Sequence, residues 1–588
     1  MTGTAWRLSG LLHRLGRKVP AAPDGPSLAG PLQRLRRPEE IGMRDRVLVV
    51  AGALLVLVGV GLIDAAVGRS AGQQLPGGGG ALALSEVSAG GSRSSAWYCP
   101  GATGAKGAAP VSLIITSDSA KPVQATVRAV SSIGIERYSV MPVRPGAQVT
   151  VNLFSMLSGP FLGASVVVQG GGVAVSEAAA GFTGWSVAPC APAGATSWYL
   201  PDGSTAGGAH LFVELLNPEP SAAVVDLSFS DPAGSVSPPA FQGIEVPADG
   251  LDVIDSGEHV VSEGPIATTV SAVTGTIVAA ELQAGAEGSS SVRDSGMALV
   301  LGSPVASPRW SIPATADVAG SQVAFHVFDP AASSAKVRLT FAWIGGSQSV
   351  EITVPAGATT VVLPTSVQGI PAGTVYQVSA TSLNGVDVVV SRSEALAAAA
   401  LAHPPTTAFG MVLGYATGAR DWLIPALPVE GTSIARMAVV DLSSKPASIS
   451  LYLAGNAPVP SASSSSAPPP QSLPDPAGSS ASAGSAGSSP LTEDSVSPSA
   501  PLILVPAPDG TTSSQAGSGG GAGSPGSPVA AGSTVSTAGA GFSGNAPDVP
   551  GLGAVPLVMR ANHRVAVEID LGPAATAGIV TMPGLVVR

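Results

Sequence analysis

The chain has 588 residues, with 38 acidic against 27 basic side chains, a formal net charge of −11, and only 11% charged and 4% aromatic residues. That length makes room for several separate cores. Nine of the basic residues fall within the first 46 (Arg7, Arg14, Arg17, Lys18, Arg34, Arg36, Arg37, Arg44, Arg46), which leaves 18 basic against 34 acidic residues for the rest; so acidic a bulk excludes nucleic acid, whose phosphates need a basic surface.

The basic head, residues 1–46, precedes an uncharged apolar run from Val47 to Ile63 that continues through Asp64-Ala65-Ala66-Val67. At about 1.5 Å per residue, 17–21 residues reach roughly 25–31 Å, near the hydrocarbon thickness of a bilayer. Arg44 and Arg46 abut its N-terminal end and the first basic residue beyond it is Arg69, so the charge bias places the N-terminus inside and the bulk outside. The run predicts a transmembrane signal anchor over 47–67. A buried core helix would show one polar face. A cleaved signal peptide would carry a shorter head and a small-x-small cleavage site.

Residues 68–94 are rich in Gly and Ser and read as a flexible stalk. A repeat follows. Trp-x-x-Pro occurs at Trp97, Trp198, Trp310 and Trp422, with spacings of 101, 112 and 112 residues. Nineteen residues after the last three Trp stands a turn residue, Asn217, Asp329 or Asp441. Each copy then runs through alternating strands to an apolar stretch closed by Glu177, Glu281, Glu394 or Glu568. A period of this size means one folded unit reused in an array whose members contact their neighbours. The units are expected at 95–195, 196–305, 306–418 and 419–588. The fourth is inflated by low-complexity insertions at about 457–499 and 511–549, with Leu502–Pro506 between them as a strand of the continuing fold.

The third unit shows its strands best. Lys336–Phe341 alternates polar and apolar residues, as do Val350, Ile352 and Val354 with Glu351 and Thr353. Gln322–Asp329, Thr359–Leu363, Val375–Thr381, Asp387–Ser391 and the Trp strand bring the number to about seven. Period two means one buried and one wet face. The fold class expected is mainly β: tandem antiparallel β-sandwich (Ig-like) domains behind one N-terminal transmembrane helix. A β-propeller is the rival, but its blades usually take about 40–50 residues.

Only two cysteines occur, Cys99 and Cys190. They bracket the first unit on the side predicted to be outside, where the compartment allows them to pair, so a structural disulfide is expected. The four Trp are expected in the cores: position Trp+2 is Cys99, Leu200, Ile312 or Ile424, and residues two apart on a strand share a face. The other reading makes the Trp a row of sugar platforms. The recurring Glu residues suit a turn or an inter-domain hydrogen bond to the next Trp segment better than catalysis. Asp252, Asp255, Glu258 and Glu263 lack the order of a calcium loop and read as a solvated loop. The histidines, His13, His210, His259, His326, His403 and His563, form no His-Glu-x-x-His, and no Gly-x-Ser-x-Gly elbow or Cys-x-x-Cys occurs. No catalytic residue, cofactor, cofactor-binding residue or metal ligand is assigned, and an enzyme is not expected.

The Trp97-Tyr98-Cys99-Pro100 opening behind a signal anchor, the partner Cys190 and the repeated Trp-x-x-Pro units resemble a family of uncharacterised actinobacterial membrane-anchored proteins known only as a domain of unknown function. The resemblance spans roughly residues 95–430 and implies a high-GC Gram-positive host. Its genes often lie near cell-envelope glycosyltransferases, which points to envelope work. It carries over no catalytic or ligand-binding residue. The function expected is a non-enzymatic, membrane-anchored extracellular scaffold or interaction protein of the bacterial cell envelope. Its partners would be the membrane it crosses once and envelope proteins or cell-wall glycan, without nucleic acid. The alternatives are a cell-wall glycan-binding protein and a hydrolase without a recognisable motif.

Overall fold

A computed structural model describes residues 86–87, 93–181, 184–262, 264–285, 296–316, 321–396, 408–426, 433–442, 448–455, 502–506, 533–536, 548–549, 556–573, 580–583 and 585–587. The predicted basic head, the transmembrane segment 47–67, most of the stalk and most of both insertions lie outside these residues. No helix among the described residues is long and apolar enough to cross a membrane.

The described chain is almost wholly antiparallel sheet. In the first repeat one sheet runs, in spatial order, Ser95–Thr103, Phe161–Gln169, Val123–Ser131, Glu136–Val143. A second runs Gln148–Asn152, Val111–Ser117, Val173–Gly181, Gly184–Pro189. One buried cluster draws on both: Trp97, Val127 and Val166 from the first, Leu113, Ile115 and Val175 from the second. The second repeat copies the order with Ser197–Leu200, Ala267–Thr274, Ala223–Asp231, Gly234–Val236 in one sheet and Leu251–Asp255, His210–Leu216, Val278–Ala284, Met297–Leu301 in the other. The third does so again, with Arg309–Ala316, Val375–Ser382, Ala335–Trp343, Gly346–Val354 and with Thr359–Val362, Ser321–Phe328, Val389–Leu396, Ala408–Leu413. Alternation sets the half-exposed strands: along Ala335–Phe341 the odd positions are buried and Lys336 and Arg338 are exposed.

Each of these three repeats has eight main strands, one more than the alternating pattern predicts. The extra one is the last, such as Met297–Leu301. It is covered on both faces, so it reads Met-Ala-Leu-Val-Leu with no polar alternation. The fourth repeat is built around one long strand, Leu557–Pro573. Its first part pairs with Ala419–Ile424 and Ser448–Leu453, and its second with Ser433–Asp441 and Val580–Pro583.

The covered last strands explain the assembly. Gly184–Pro189 lies against Met297–Leu301, that strand against Ala408–Leu413, that against Val580–Pro583, and the last returns to Gly184–Pro189. The repeats therefore close into a ring. They do not form the open string, with contacts only between sequence neighbours, that an array suggests. Residues 79–588 form one compact unit. Glu86–Val87 adds parallel to Leu585–Val587, so the start of this unit is tied to its end.

Candidate functional site

The turn residues fix a common frame. Asn217 Oδ1 accepts from Glu219 N at 2.9 Å, Asp329 Oδ1 from Ala331 N at 2.8 Å and Ser117 Oγ from Ser119 N at 3.2 Å. Each closes a local turn of the kind short polar side chains favour. Counting four residues back from Ser117, Asn217, Asp329 and Asp441 gives Leu113, Val213, Phe325 and Met437, all buried. Their partners across the sheet are Glu177, Glu281, Arg392 and Ile569. Three back gives Ile114, Glu214, His326 and Ala438, opposite Ser176, Ala280, Ser391 and Glu568. So only Glu177 and Glu281 of the closing Glu set are equivalent. Glu394 lies two residues further along its strand, and Glu568 points to the other face of its sheet. They sit mid-strand and buried, not in turns.

These positions meet at the junctions between repeats. Between the third and fourth, the Arg392 guanidinium donates to Glu568 Oε1 at 2.7 Å and to Thr315 Oγ1 at 3.0 Å, with all three side chains buried. Between the second and third, His326 Nε2 stands 3.1 Å from Asp202 Oδ2 and 2.8 Å from Ser393 Oγ, again buried. Between the fourth and first the same places are apolar: Ile114 joins the cluster of Met437, Trp422 and Ile569. Between the first and second stand two carboxyl groups, Glu177 and Glu214. Glu177 Oε2 accepts from Gly101 N at 2.8 Å, in the Trp segment of its own repeat. Glu177 Oε1 and both Glu214 oxygens have no hydrogen-bond partner among the described residues. Burial pushes both carboxyls well above the ordinary carboxylate range; the Gly101 amide opposes this for Glu177, and the Glu177 charge adds to it for Glu214.

The four repeat Trp are buried, with exposures of 0%, 2%, 3% and 0% for Trp97, Trp198, Trp310 and Trp422. Trp198 Nε1 donates to Ile277 O at 2.7 Å, Trp310 Nε1 to Val388 O at 2.6 Å and Trp422 Nε1 to Ala419 O at 3.2 Å. Cys99 and Cys190 are joined in a disulfide, their Cα atoms 4.7 Å apart. The bond ties the opening strand of the first repeat to the segment after its last strand. Glu177 lies beside it, but disulfide sulfurs are not metal ligands, and no other group of three candidate ligands is found among the described residues.

One cleft opens at the surface between the first and second repeats, with a volume of about 300 Å³. Phe161 and Phe212 form one wall, their rings edge to face at 4.9 Å. Phe241, Ile244 and Ile254 add further apolar lining, and Asp255, Glu258 and His259 add polar groups. The acidic loop thus does not stand apart in solvent: Asp255 Oδ2 meets His210 Nδ1 at 2.9 Å and its Oδ1 accepts from Gly257 N at 3.1 Å. Asp252 Oδ1 accepts from the adjacent Val253 N at 2.9 Å, and Glu263 lies outside the described residues. Of the other histidines, His13 and His403 lie outside the described residues.

Sequence reasoning missed Asp202, Glu214, His326, Arg392 and the cleft aromatics. Glu214 and His326 did leave a trace, since each interrupts an apolar run, Glu214 in His210–Leu216 and His326 in Ser321–Phe328, whereas Asp202 and Arg392 stand among polar neighbours. Such residues are seldom fully buried unless paired. The cleft left none, because Phe161 and Phe212 belong to different repeats.

Residues 140–421 match the model of a family of unknown function, DUF5719. That span runs from within the first repeat to the opening strand of the fourth. No curated protein matches the sequence. Among solved structures, the crystal structure of Thermotoga maritima 1070 aligns over 19% of this chain and 94% of its own, at 19% identity and a TM-score of 0.17.

Proposed function

We propose that the chain is a non-enzymatic scaffold of the cell envelope, held in the membrane by residues 47–67 with its C-terminal bulk outside. In this reading the host is a high-GC Gram-positive bacterium, as the family resemblance implies. The units at 95–195, 196–305, 306–418 and 419–588 are Ig-like sandwiches. What supports the domain reading is the recurrence, in the first three units, of two sheets whose four main strands keep one spatial order, each pair around its own buried Trp, with Ile244–Val246 as a fifth strand in the second unit.

The observation that carries the scaffold reading is the closed ring. Buried pairs such as Arg392 with Glu568 hold neighbouring units in one geometry, and ionic pairs of this kind favour register over raw stability. The outer sheets are thereby displayed at fixed angles. On the first repeat that surface carries exposed apolar side chains among charged ones: Val140 and Val167 flank Thr126 in the strand pairing and are 60% and 46% exposed, and Tyr138, 61% exposed, lies under Arg128, which pairs with Glu136. Exposed apolar rows of this sort mark contact surfaces. The enclosed Trp leave no indole face for a sugar, so a row of Trp platforms draws no support from their burial.

Crosslinking in intact cells tests the reading. The chain is expected in the membrane fraction, crosslinked through the outer face of the first repeat to defined envelope proteins. Tyr138→Ser with Val140→Ser should lose those adducts while the protein stays folded. A native N-terminus processed near residue 70, or adducts indifferent to the double change, would count against it.

A further inference from the structure

We infer that the cleft between the first two repeats is a binding site for one sugar ring that is neutral or carries an amine. This goes beyond the scaffold reading, and its test does not depend on where the protein sits.

The walls come first. Phe161 and Phe212 line the cleft and are only half-buried, and Phe241, 5% exposed, lines it with them. A pyranose has an apolar C–H face that packs on such rings, and a rim of hydroxyls that needs both donors and acceptors. The cleft offers both: Asp255 and Glu258 accept, and the His259 imidazole can donate. Asp255 is fixed before any ligand arrives, by His210 on one oxygen and the Gly257 amide on the other. Such preorganisation lowers the cost of binding.

An organic cation would use the carboxylates but not the imidazole. Charge then selects among sugars. Asp255 and Glu258 make the rim acidic, and a carboxylated sugar would bring a like charge against them. The volume of about 300 Å³ sits at the small end of ligand pockets, which suits one ring with its substituents.

The test is ligand-observed NMR on the full-length chain in detergent, with glucose, glucosamine and glucuronate as probes at constant ionic strength. Saturation transfer is expected from glucose and glucosamine, with glucuronate weaker by about tenfold or more. Glu258 is exposed, so Glu258→Ala should leave melting unchanged while weakening glucose binding by about tenfold, and His259→Ala, whose ring packs edge-on against Phe241, should weaken binding to the same extent. Phe212→Leu keeps an apolar side chain against the neighbouring core and should weaken binding too. Silence from glucose and glucosamine alike, glucuronate binding as well as glucose, or binding untouched in both rim variants would overturn the assignment. So would tetramethylammonium binding where glucose does not.

Discussion

Arg392 reaches out of the core of the third repeat to Glu568 of the fourth, 2.7 Å away, and neither side chain exceeds 2% exposure. The pair occupies a junction whose counterparts around the ring are His326 with Asp202, Glu177 with Glu214, and the apolar meeting of Ile114 with the cluster of Ile569. One backbone plan thus carries four different chemistries at its four junctions.

Removing one partner of a buried ion pair strands the other charge. Glu568→Ala is therefore expected to destabilise the ring by about 3–5 kcal/mol. Arg392→Met with Glu568→Met, which removes both charges and keeps apolar volume, should recover most of that loss. Chemical denaturation of the two variants against wild type checks this. A double variant as unstable as the single one would mean that the pair contributes through its specific hydrogen bonds, the Thr315 contact included, and not through charge balance.

The strands were legible where one face is wet. Lys336 to Phe341 alternates because solvent takes Lys336 and Arg338 while the core takes Val337 and Leu339. The last strand of each of the first three repeats was not legible, since ring closure covers it, as in Met297–Leu301, where both faces are buried and the period is erased. Matching letters also misled: Glu394 and Glu568 look like further copies of Glu177, yet strand pairing places Arg392 and Ile569 at that position. The junctions join side chains up to 176 residues apart in the chain, and nothing local in the sequence encodes such a meeting. The anchor and the insertions were read from composition, and the anchor and most of both insertions lie outside the described residues; the envelope setting was implied by the family resemblance alone.

The Cys99–Cys190 bond closes a loop with a sequence separation of 91 residues, for which chain entropy gives roughly 4–5 kcal/mol. Cys99→Ser with Cys190→Ser should lower the stability of the first repeat by about that amount. Because the repeat is a member of a closed ring, its neighbours should loosen with it. Hydrogen exchange resolved by segment measures both effects. Peptide mapping without reduction should find the two cysteines joined, and two free thiols in protein taken from the envelope would remove the basis of the expectation.

Trp310 separates packing from hydrogen bonding. Its ring is 3% exposed and its Nε1 donates to Val388 O at 2.6 Å. Trp310→Ala should cost about 3–5 kcal/mol, as large buried aromatics do. Trp310→Phe keeps much of the volume, and the Val388 carbonyl keeps the Ser307 amide as a donor, so the loss should be smaller, about 0.5–1.5 kcal/mol. Thermal melts of both variants give the ranking. Unchanged melting in Trp310→Ala would show that the indole is not part of the core it lies in.

Glu177 and Glu214 predict a response to alkali that an ordinary acidic surface would not give. Both are fully buried, and both hold their protons well above the ordinary carboxylate value of 4.5. In the unfolded chain they ionise near that value. Between the unfolded and the folded pKa the unfolded state therefore binds fewer protons, and stability falls as pH rises. The contribution is complete below about pH 4.5 and is lost progressively until the folded carboxyls also ionise, by at most about 1.4 kcal/mol per pH unit per group. Glu214→Gln removes one titration, keeps the shape, and should raise stability at neutral and alkaline pH while changing little below pH 4.5. Glu177→Gln should act in the same direction and retain an acceptor for the Gly101 amide. Denaturation midpoints between pH 4 and pH 9 are the measurement. A wild-type profile parallel to that of Glu214→Gln across the range would mean that the Glu214 carboxyl ionises in the folded ring as freely as in the unfolded chain, with solvent or a cation reaching it there.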